Sequence, residues 1–366
     1  MLQAMPRHFG ELELIRQIRA KQGGPARLGG EAGKRTAVVL KSGVVLGIGD
    51  DCAILRPPRG HEIAVTTDFS LEGRHFVRSL HPPEAIGHRV LARGLSDLAA
   101  MGAKPLAAFL SLALPREVPG TRKGRAWLAH FFAGFNALAV RQSVSLAGGD
   151  TSESPTNHVL ADIVLLGSAP AGRALRRSTA RAGDVLYVTG QLGGSAAELA
   201  LLKERGRLSS VREVVELVDP NPHPHLYPRP RLMVGQELLC RKIASACMDI
   251  SDGLSTDLQH LCEESHLGAV IEASALPIHP LASGLTAHWR SGSKLQKPAS
   301  LALHGGEDYE LLFAASAKTR VPRSIAGVPI TRIGALTRSR SILLIDFEGR
   351  RTGLNAKGWE HFAPSR

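Results

Sequence analysis

No run in the 366-residue chain reaches the roughly eighteen consecutive apolar residues of a membrane span. The opening MLQAMPRHFGELELIRQIRA carries charges where a signal peptide would hold its apolar segment, so a cytoplasmic protein with no membrane partner is expected. Cysteine is scarce: Cys52, Cys240, Cys247 and Cys262 form no CxxC pair and no zinc spacing, which excludes a disulfide scaffold and reads as reduced, mostly structural thiols. Aromatics make up only 4%, so stacking platforms for single-stranded nucleic acid are scarce. A net charge of +12 and a pI near 10.0 still favour anionic ligands. Because the arginines are scattered rather than clustered, phosphorylated small molecules are expected and nucleic acid is not. Also missing are a Walker GxxxxGK[ST] loop, a GxGxxG ahead of a helix, a GxSxG elbow and an HExxH helix. These absences exclude ordinary P-loop and Rossmann enzymes and the hydrolases built on those motifs.

At 43% apolar residues a chain of this length can bury two cores, and two domains are expected. The runs VVLGIG, EIAVTTD, AAFLSLALP, VSLAGGD and HVLADIVLLGSA are short, rich in Val, Ile and Leu, and bounded by Gly, Pro or Asp, as strands are. PPEAIGHRVLARGLSDLAAMGA has Pro at its start and apolar residues at helical spacing, and a second helix is expected over 125–140. A short helix at 10–20 precedes a Gly-, Lys- and Arg-rich stretch at 21–44. The turn-rich, basic PAGRALRRSTARAGD puts the boundary near Ser168, giving domains 1–168 and 169–366. After it come a strand at LYVTG, a helix through SAAELALLKE, a Pro-rich connection, a strand at SACMDI, a helix in SDGLSTDLQHLCEES and strands at AVIEA and YELLFAAS. The expected class is α/β, or α+β, with sheets covered by helices.

Carboxylates recur beside glycine or at the ends of apolar strands: Asp50 and Asp51 in GIGDDCAIL, Asp68 in VTTDF, Asp150 in AGGDT, Asp249 and Asp252 in MDISDGL, and Glu307 and Asp308 in HGGEDYELLF. Each alone reads as a turn acid. Together in a basic chain they read as hard oxygen ligands offered to phosphate-bound Mg, with glycines that let a ligand approach the backbone. Asp97 falls on the apolar stripe of its helix, where a carboxylate needs a cation; Arg89, Arg93 or a metal would serve. Leu254, Leu258, Leu261 and Cys262 mark one helical face, so Ser251 or Asp252 is a candidate N-cap, whereas capping does not explain Asp249.

GIGDDCAIL, TTDFSLEGRHF, LSDLAAMGAKP, AGGDT, GRALRRS, MDISDGLSTDL, HGGEDYELLF and the terminal GWEHF occur in the order seen in thiamine-monophosphate kinases, and from about residue 45 onward the chain resembles that family. The resemblance implies a two-domain synthetase-like fold shared with aminoimidazole ribonucleotide synthetase and selenophosphate synthetase. Its N-terminal domain binds ATP and Mg and pairs through its sheet in a homodimer, and its C-terminal α/β domain closes over the substrate. It also implies ATP-dependent phosphorylation of thiamine monophosphate with several Mg ions. By position, the Mg ligands fall on Asp51, Thr66, Thr67, Asp68, Asp97, Asp150, Asp249 and Asp252. ATP contacts fall on Gly149, Asp150, Arg177 and Ser251, and thiamine-phosphate contacts on His75, Glu307 and Trp359. Asp68, Asp97, Asp150 and Arg177 are the implied catalytic set. Arg74 ahead of His75 and the basic stretch at 21–44 depart from the family pattern. The alternatives are another acceptor within the superfamily, or a basic nucleic-acid-binding module. Against selenophosphate chemistry, Trp359 near the C-terminus suits a thiamine ring.

Overall fold

The computed structural model describes residues 43–48, 50–205, 223–288 and 298–359; the expected helix at 10–20 and nearly all of the basic stretch at 21–44 lie outside them. The chain divides into two compact units, Met1–Gly94 with Pro105–Ser168, and Leu95–Lys104 with Ala169–Arg366.

The first unit carries a four-stranded sheet in the order β3-β6-β4-β5, from strands β3 (His61–Leu71), β4 (Lys104–Leu114), β5 (Ser145–Glu153) and β6 (Leu160–Pro170). A two-stranded ribbon of β1 (Val44–Leu46) and β2 (Ile54–Leu55) pairs antiparallel. Alternation in β6 buries Ala161, Ile163 and Leu165, as half-buried strands require. Helix α1 (Pro83–Ala100) starts on the proline whose fixed φ suits a first helical position, and it buries Ile86, Val90, Leu91, Leu95 and Leu98. Helix α2 (Arg122–Arg141) begins earlier than its apolar spacing implied. The Thr121 side chain accepts the Gly124 N–H at 3.0 Å and caps it there, while Leu128, Phe131, Phe132, Phe135 and Leu138 face inward.

The second unit is built on an eight-stranded sheet. Its strands are β7 (Val185–Thr189), β8 (Ala246–Ile250), β9 (Gly268–Glu272), β10 (Glu310–Ala315), β11 (Ser324–Ile325), β12 (Val328–Thr337), β13 (Ile342–Ile345) and β14 (Arg351–Gly353). The order is β14-β13-β9-β12-β7-β10-β8, with β11 on β12. Among the described residues the unit also carries helices α3 (Gly194–Arg205), α4 (Leu232–Cys240), α5 (Leu254–Glu264), α6 (Pro280–His288) and α7 (Pro298–His304). Leu186, Val188, Met248, Ile250, Leu258, Leu261, Ile271, Leu312 and Ile333 share one core. The expected face of Leu254, Leu258, Leu261 and Cys262 is the buried face of α5. Burial pushes the Cys247 thiol up and the Cys262 thiol up to about 12, so both are inert packing groups. The α/β class is the one observed. Helices α4, α6 and α7 and the hairpin of β13 and β14 had no expectation behind them.

Candidate active site

In the first unit, β4 and β5 run parallel with Leu110 opposite Gly149 and Ser111 opposite Asp150. A Cβ on Gly149, which has φ near 147°, would lie 1.9 Å from the Leu110 carbonyl oxygen; only glycine lets the strands approach this closely. The β1–β2 ribbon packs on the same strands through Val44, Ala107 and Ala147 with Ala53 and Leu55, which fixes the loop between its strands above them. The result is a cavity of about 660 Å³ whose wall includes Asp50, Asp51, Phe132, Gly149, Asp150 and Thr151. Asp50, Asp51 and Asp150 are exposed to it, and Asp50 Oδ1 accepts the Asp51 N–H at 2.9 Å.

Strand β3 divides the TTD triplet. Period-two alternation puts Thr66 and Asp68 on the partly covered face, while Thr67 shares the open face with Ile63, Val65 and Phe69. Thr67 Oγ1 donates to Asp162 Oδ1 at 2.9 Å, so its side chain serves the sheet. Asp68 pairs with Arg93 Nη2 at 2.9 Å, an arginine that spacing on α1 had also offered to Asp97. Arg89, the other arginine considered for Asp97, donates to the His75 carbonyl at 3.2 Å. His75 Nδ1 accepts the Leu71 N–H at 3.0 Å, so in the neutral ring the proton sits on Nε2.

The second unit contains the rest of the anticipated set. Asp97 is half-buried on α1 rather than at the centre of its buried stripe. Its neighbour Ser96, which sequence reasoning passed over, is fully buried and donates to Asp249 Oδ2 at 2.7 Å; Asp249 is itself 2% exposed. Arg177 is exposed at the head of a short 3-10 turn, Arg177–Thr179, whose main chain is held by Ser265 Oγ on the Arg177 carbonyl at 2.6 Å.

Antiparallel pairing of β8 with β10 sets Asp249 opposite Leu311 and Ile250 opposite Glu310, so the loop after β8 lies beside the loop before β10. The Glu307 N–H donates to the Ser251 carbonyl at 2.7 Å, and the Trp359 N–H donates to the Asp252 carbonyl at 3.0 Å. Glu307 and Trp359 are thus held by their main chains against the short β8–α5 loop that carries Ser251 and Asp252. The expected N-cap at Ser251 or Asp252 is corrected: α5 starts at Leu254 with Gly253 in the cap position and no side-chain cap. Asp257, in the first turn, takes over the free main-chain donors: its Oδ2 accepts the Asp252 and Gly253 N–H groups at 3.2 and 3.0 Å. Burial pushes the Asp257 carboxyl well up, with Asp249 and Asp252 adding to the rise.

On the β10 side, Glu307 and Tyr309 hold left-handed backbone, φ 65° and 51°, around Asp308. Asp308 accepts the Gly193 and Ser195 N–H groups at 2.7 and 3.1 Å, capping α3. The sequence had grouped it with Glu307 among the carboxylates offered to Mg; in the structure its oxygens serve the start of α3.

Among the described residues no three His, Cys, Asp or Glu side chains stand close enough to cage a metal ion. Mg carried by a nucleotide keeps waters and takes one or two carboxylates plus phosphate oxygens. On the otherwise largely apolar wall of the cavity, Asp50, Asp51, Asp150 and Thr151 supply oxygen donors of that kind.

Residues 49–169 match the AIR synthase related protein N-terminal domain, and residues 181–321 the corresponding C-terminal domain. The thiamine-monophosphate kinase of Salmonella typhimurium is 40% identical over 324 residues, covering 87% of this chain and 93% of that protein. The crystal structure of thiamine-monophosphate kinase from Stenotrophomonas maltophilia has a TM-score of 0.72 at 32% identity, covering 94% of this chain and 98% of that one. AaThiL complexed with AMPPCP and TMP has a TM-score of 0.69 at 26% identity, covering 99% and 100%. The motif order, the paired AIR synthase domains and this degree of identity across both chains agree: the chain belongs to the thiamine-monophosphate kinase family.

Proposed function

We propose that this protein transfers the terminal phosphoryl group of ATP to thiamine monophosphate, giving thiamine diphosphate and ADP. An oxygen of the acceptor phosphate forms the new bond to the γ-phosphorus as the bond to the bridging oxygen of ADP breaks. The second pKa of a phosphate monoester is near 6, so the attacking oxygen is largely ionised at neutral pH and no strong general base is required. The observation that carries the reading is the single cavity around which Asp50, Asp51, Gly149 and Asp150 converge from segments far apart in sequence. Its volume, about 660 Å³, is in the range of nucleotide and cofactor sites.

We assign Gly149 and Asp150 in the first unit, and Arg177 and Ser251 in the second, to ATP. Exposed Arg177 offers a fixed cation to phosphate oxygens. Asp51, Thr66, Thr67, Asp68 and Asp150 of the first unit, and Asp97, Asp249 and Asp252 of the second, would hold Mg. The Thr67 hydroxyl donates its proton to Asp162, which leaves its oxygen lone pairs for a cation. What Mg supplies when bound is neutralisation and alignment of two polyanions. We assign His75, Glu307 and Trp359 to the acceptor, with His75 offering an Nε2–H and Trp359, 49% exposed, offering a ring face. We assign ATP and Mg binding and dimerisation to the domain at 1–168 and closure over the acceptor to the domain at 169–366. A homodimer through the first unit's sheet is supported by edge strand β3, where Ile63, Val65 and Phe69 are 46%, 64% and 62% exposed on one face. No helix among the described residues is long and apolar enough to cross a membrane, and we place the enzyme in the cytoplasm.

The test is incubation with ATP, Mg and thiamine monophosphate, with thiamine and aminoimidazole ribonucleotide precursors as controls. Thiamine diphosphate appearing with ADP, and lost on chelation of Mg, is the expected result. Turnover of the controls alone would leave the fold and remove the acceptor.

A further inference from the structure

The last described stretch of chain, ahead of residue 360, is held on the first turn of α5 by consecutive main-chain donors. The Lys357 N–H reaches Ser255 Oγ at 3.4 Å, the Gly358 N–H donates to Thr256 Oγ1 at 3.1 Å, and the Trp359 N–H donates to the Asp252 carbonyl at 3.0 Å. Ser255, 1% exposed, is itself fixed by His304 Nδ1 at 2.8 Å, so the weakest of these bonds comes from a rigid partner. The central bond is the closest-fitting point. A Cβ on Gly358 would lie 2.1 Å from the Asp252 carbonyl oxygen and 2.5 Å from Thr256 Oγ1. The tail therefore sits flat on the α5 start at one place, and the next residue along is Trp359.

We propose that Thr256 is a positioning residue: its hydroxyl holds the tail so that Trp359 presents its ring, and it thereby sets affinity for the acceptor and not for ATP. This rests on the reading of Trp359 as an acceptor contact. Thr256 has no place in the nucleotide or metal set. A side chain that acted only on the fold would affect both substrates and turnover alike, whereas one acting through Trp359 affects a single KM.

The experiment uses the full chain with Thr256→Val, Thr256→Ser, Gly358→Ala and Trp359→Ala, measuring KM for each substrate, kcat, and acceptor binding by calorimetry with a non-hydrolysable ATP analogue. Loss of one neutral hydrogen bond gives about a fivefold rise in KM and Kd for thiamine monophosphate in Thr256→Val, with KM for ATP and kcat unchanged. Thr256→Ser restores the wild-type value, because it keeps the hydroxyl. Gly358→Ala pushes the tail off the same contact and raises the acceptor KM even where Thr256→Val folds poorly; because its methyl also meets the Asp252 carbonyl oxygen at 2.1 Å, selectivity between the two substrates is read in Thr256→Val. An unchanged acceptor KM in Thr256→Val and Gly358→Ala, with a rise in Trp359→Ala, overturns the positioning role while the acceptor reading stands. Parallel losses for both substrates and kcat in Thr256→Val overturn it as well. If Trp359→Ala itself leaves the acceptor KM unchanged, the assignment of Trp359 fails and this inference fails with it.

Discussion

The two units use the same side chain in opposite ways. In the first, Asp50, Asp51 and Asp150 stand exposed at a cavity, where little protein would be lost with them. In the second, Asp257, 1% exposed, and Asp308 have their oxygens committed to main-chain N–H groups, and Asp249, 2% exposed, takes a buried hydroxyl. An exposed acid contributes little to folding and is available to a cation. A buried acid holding free N–H groups sets the shape of a loop, and its removal leaves those donors unsatisfied. The first unit's cavity acids should therefore separate activity from stability, and the second unit's buried acids should join them.

The sharpest break of that contrast is Asp150→Asn, with Asp51→Asn beside it. Both leave the cavity's shape intact and remove a charge, so turnover should fall by about two to three orders of magnitude while the unfolding midpoint stays within about 0.5 kcal/mol of wild type. Steady-state rates and urea denaturation on the same preparations decide it. Full activity in both variants would remove these carboxylates from the site.

Next in size is a pH effect confined to the second unit. Burial pushes the Asp308 carboxyl up to about 7; the Gly193 and Ser195 N–H groups oppose the rise, and Glu310 and Glu307 add to it. The unfolded group titrates near its ordinary value of about 3.9. Between those values the folded protein holds a proton that the unfolded chain has released. Its contribution to stability is fully present below about pH 4, falls as pH rises, and is gone above about pH 7. Burial moves Asp257 in the same direction. Urea titrations across pH 5 to 8 should show this decline, and Asp308→Asn should flatten it. A wild-type curve that rises with pH across that window, or an unchanged slope in the variant, counts against the assignment.

How much of this was legible depended on whether the signal was local. Strands and their alternation were readable because Val, Ile and Leu runs end on Gly, Pro or Asp, and β3, β4, β5 and β6 occur where those runs are. Asp51 and Asp150 stood out because glycines precede them in GIGDD and AGGD, and the structure puts both on one cavity wall. The TTD triplet was misleading as a unit, since neighbouring strand residues point to opposite faces and Thr67 turns to Asp162. Ser96 and Asp257 look like ordinary helix residues; their roles depend on Asp249 and on the turn at Gly253, which only the folded β8–α5 connection creates. The cap expected at Ser251 or Asp252 failed for the same reason. Capping rules describe a side chain preceding its helix, and here the acceptor reaches back from inside the first turn.

That reversed cap supplies the smallest of these effects and the closest comparison within one unit. Asp257→Ala leaves the Asp252 and Gly253 N–H groups without their acceptor in a buried turn, which should cost about 1–3 kcal/mol of stability. Because Ser251 and Asp252 ride on the same turn, activity should fall with it, unlike the separation expected at Asp150. Asp257→Asn keeps an acceptor oxygen at the same position. Burial already favours the uncharged acid there, so the amide resembles the resident side chain in charge and size. Asn should therefore retain most of the stability that Ala loses, as read by denaturation midpoints, with turnover following in the same order. If the two substitutions cost the same, Asp257 acts through its charge on Asp249 and Asp252, and the turn is held by something other than its carboxyl oxygen.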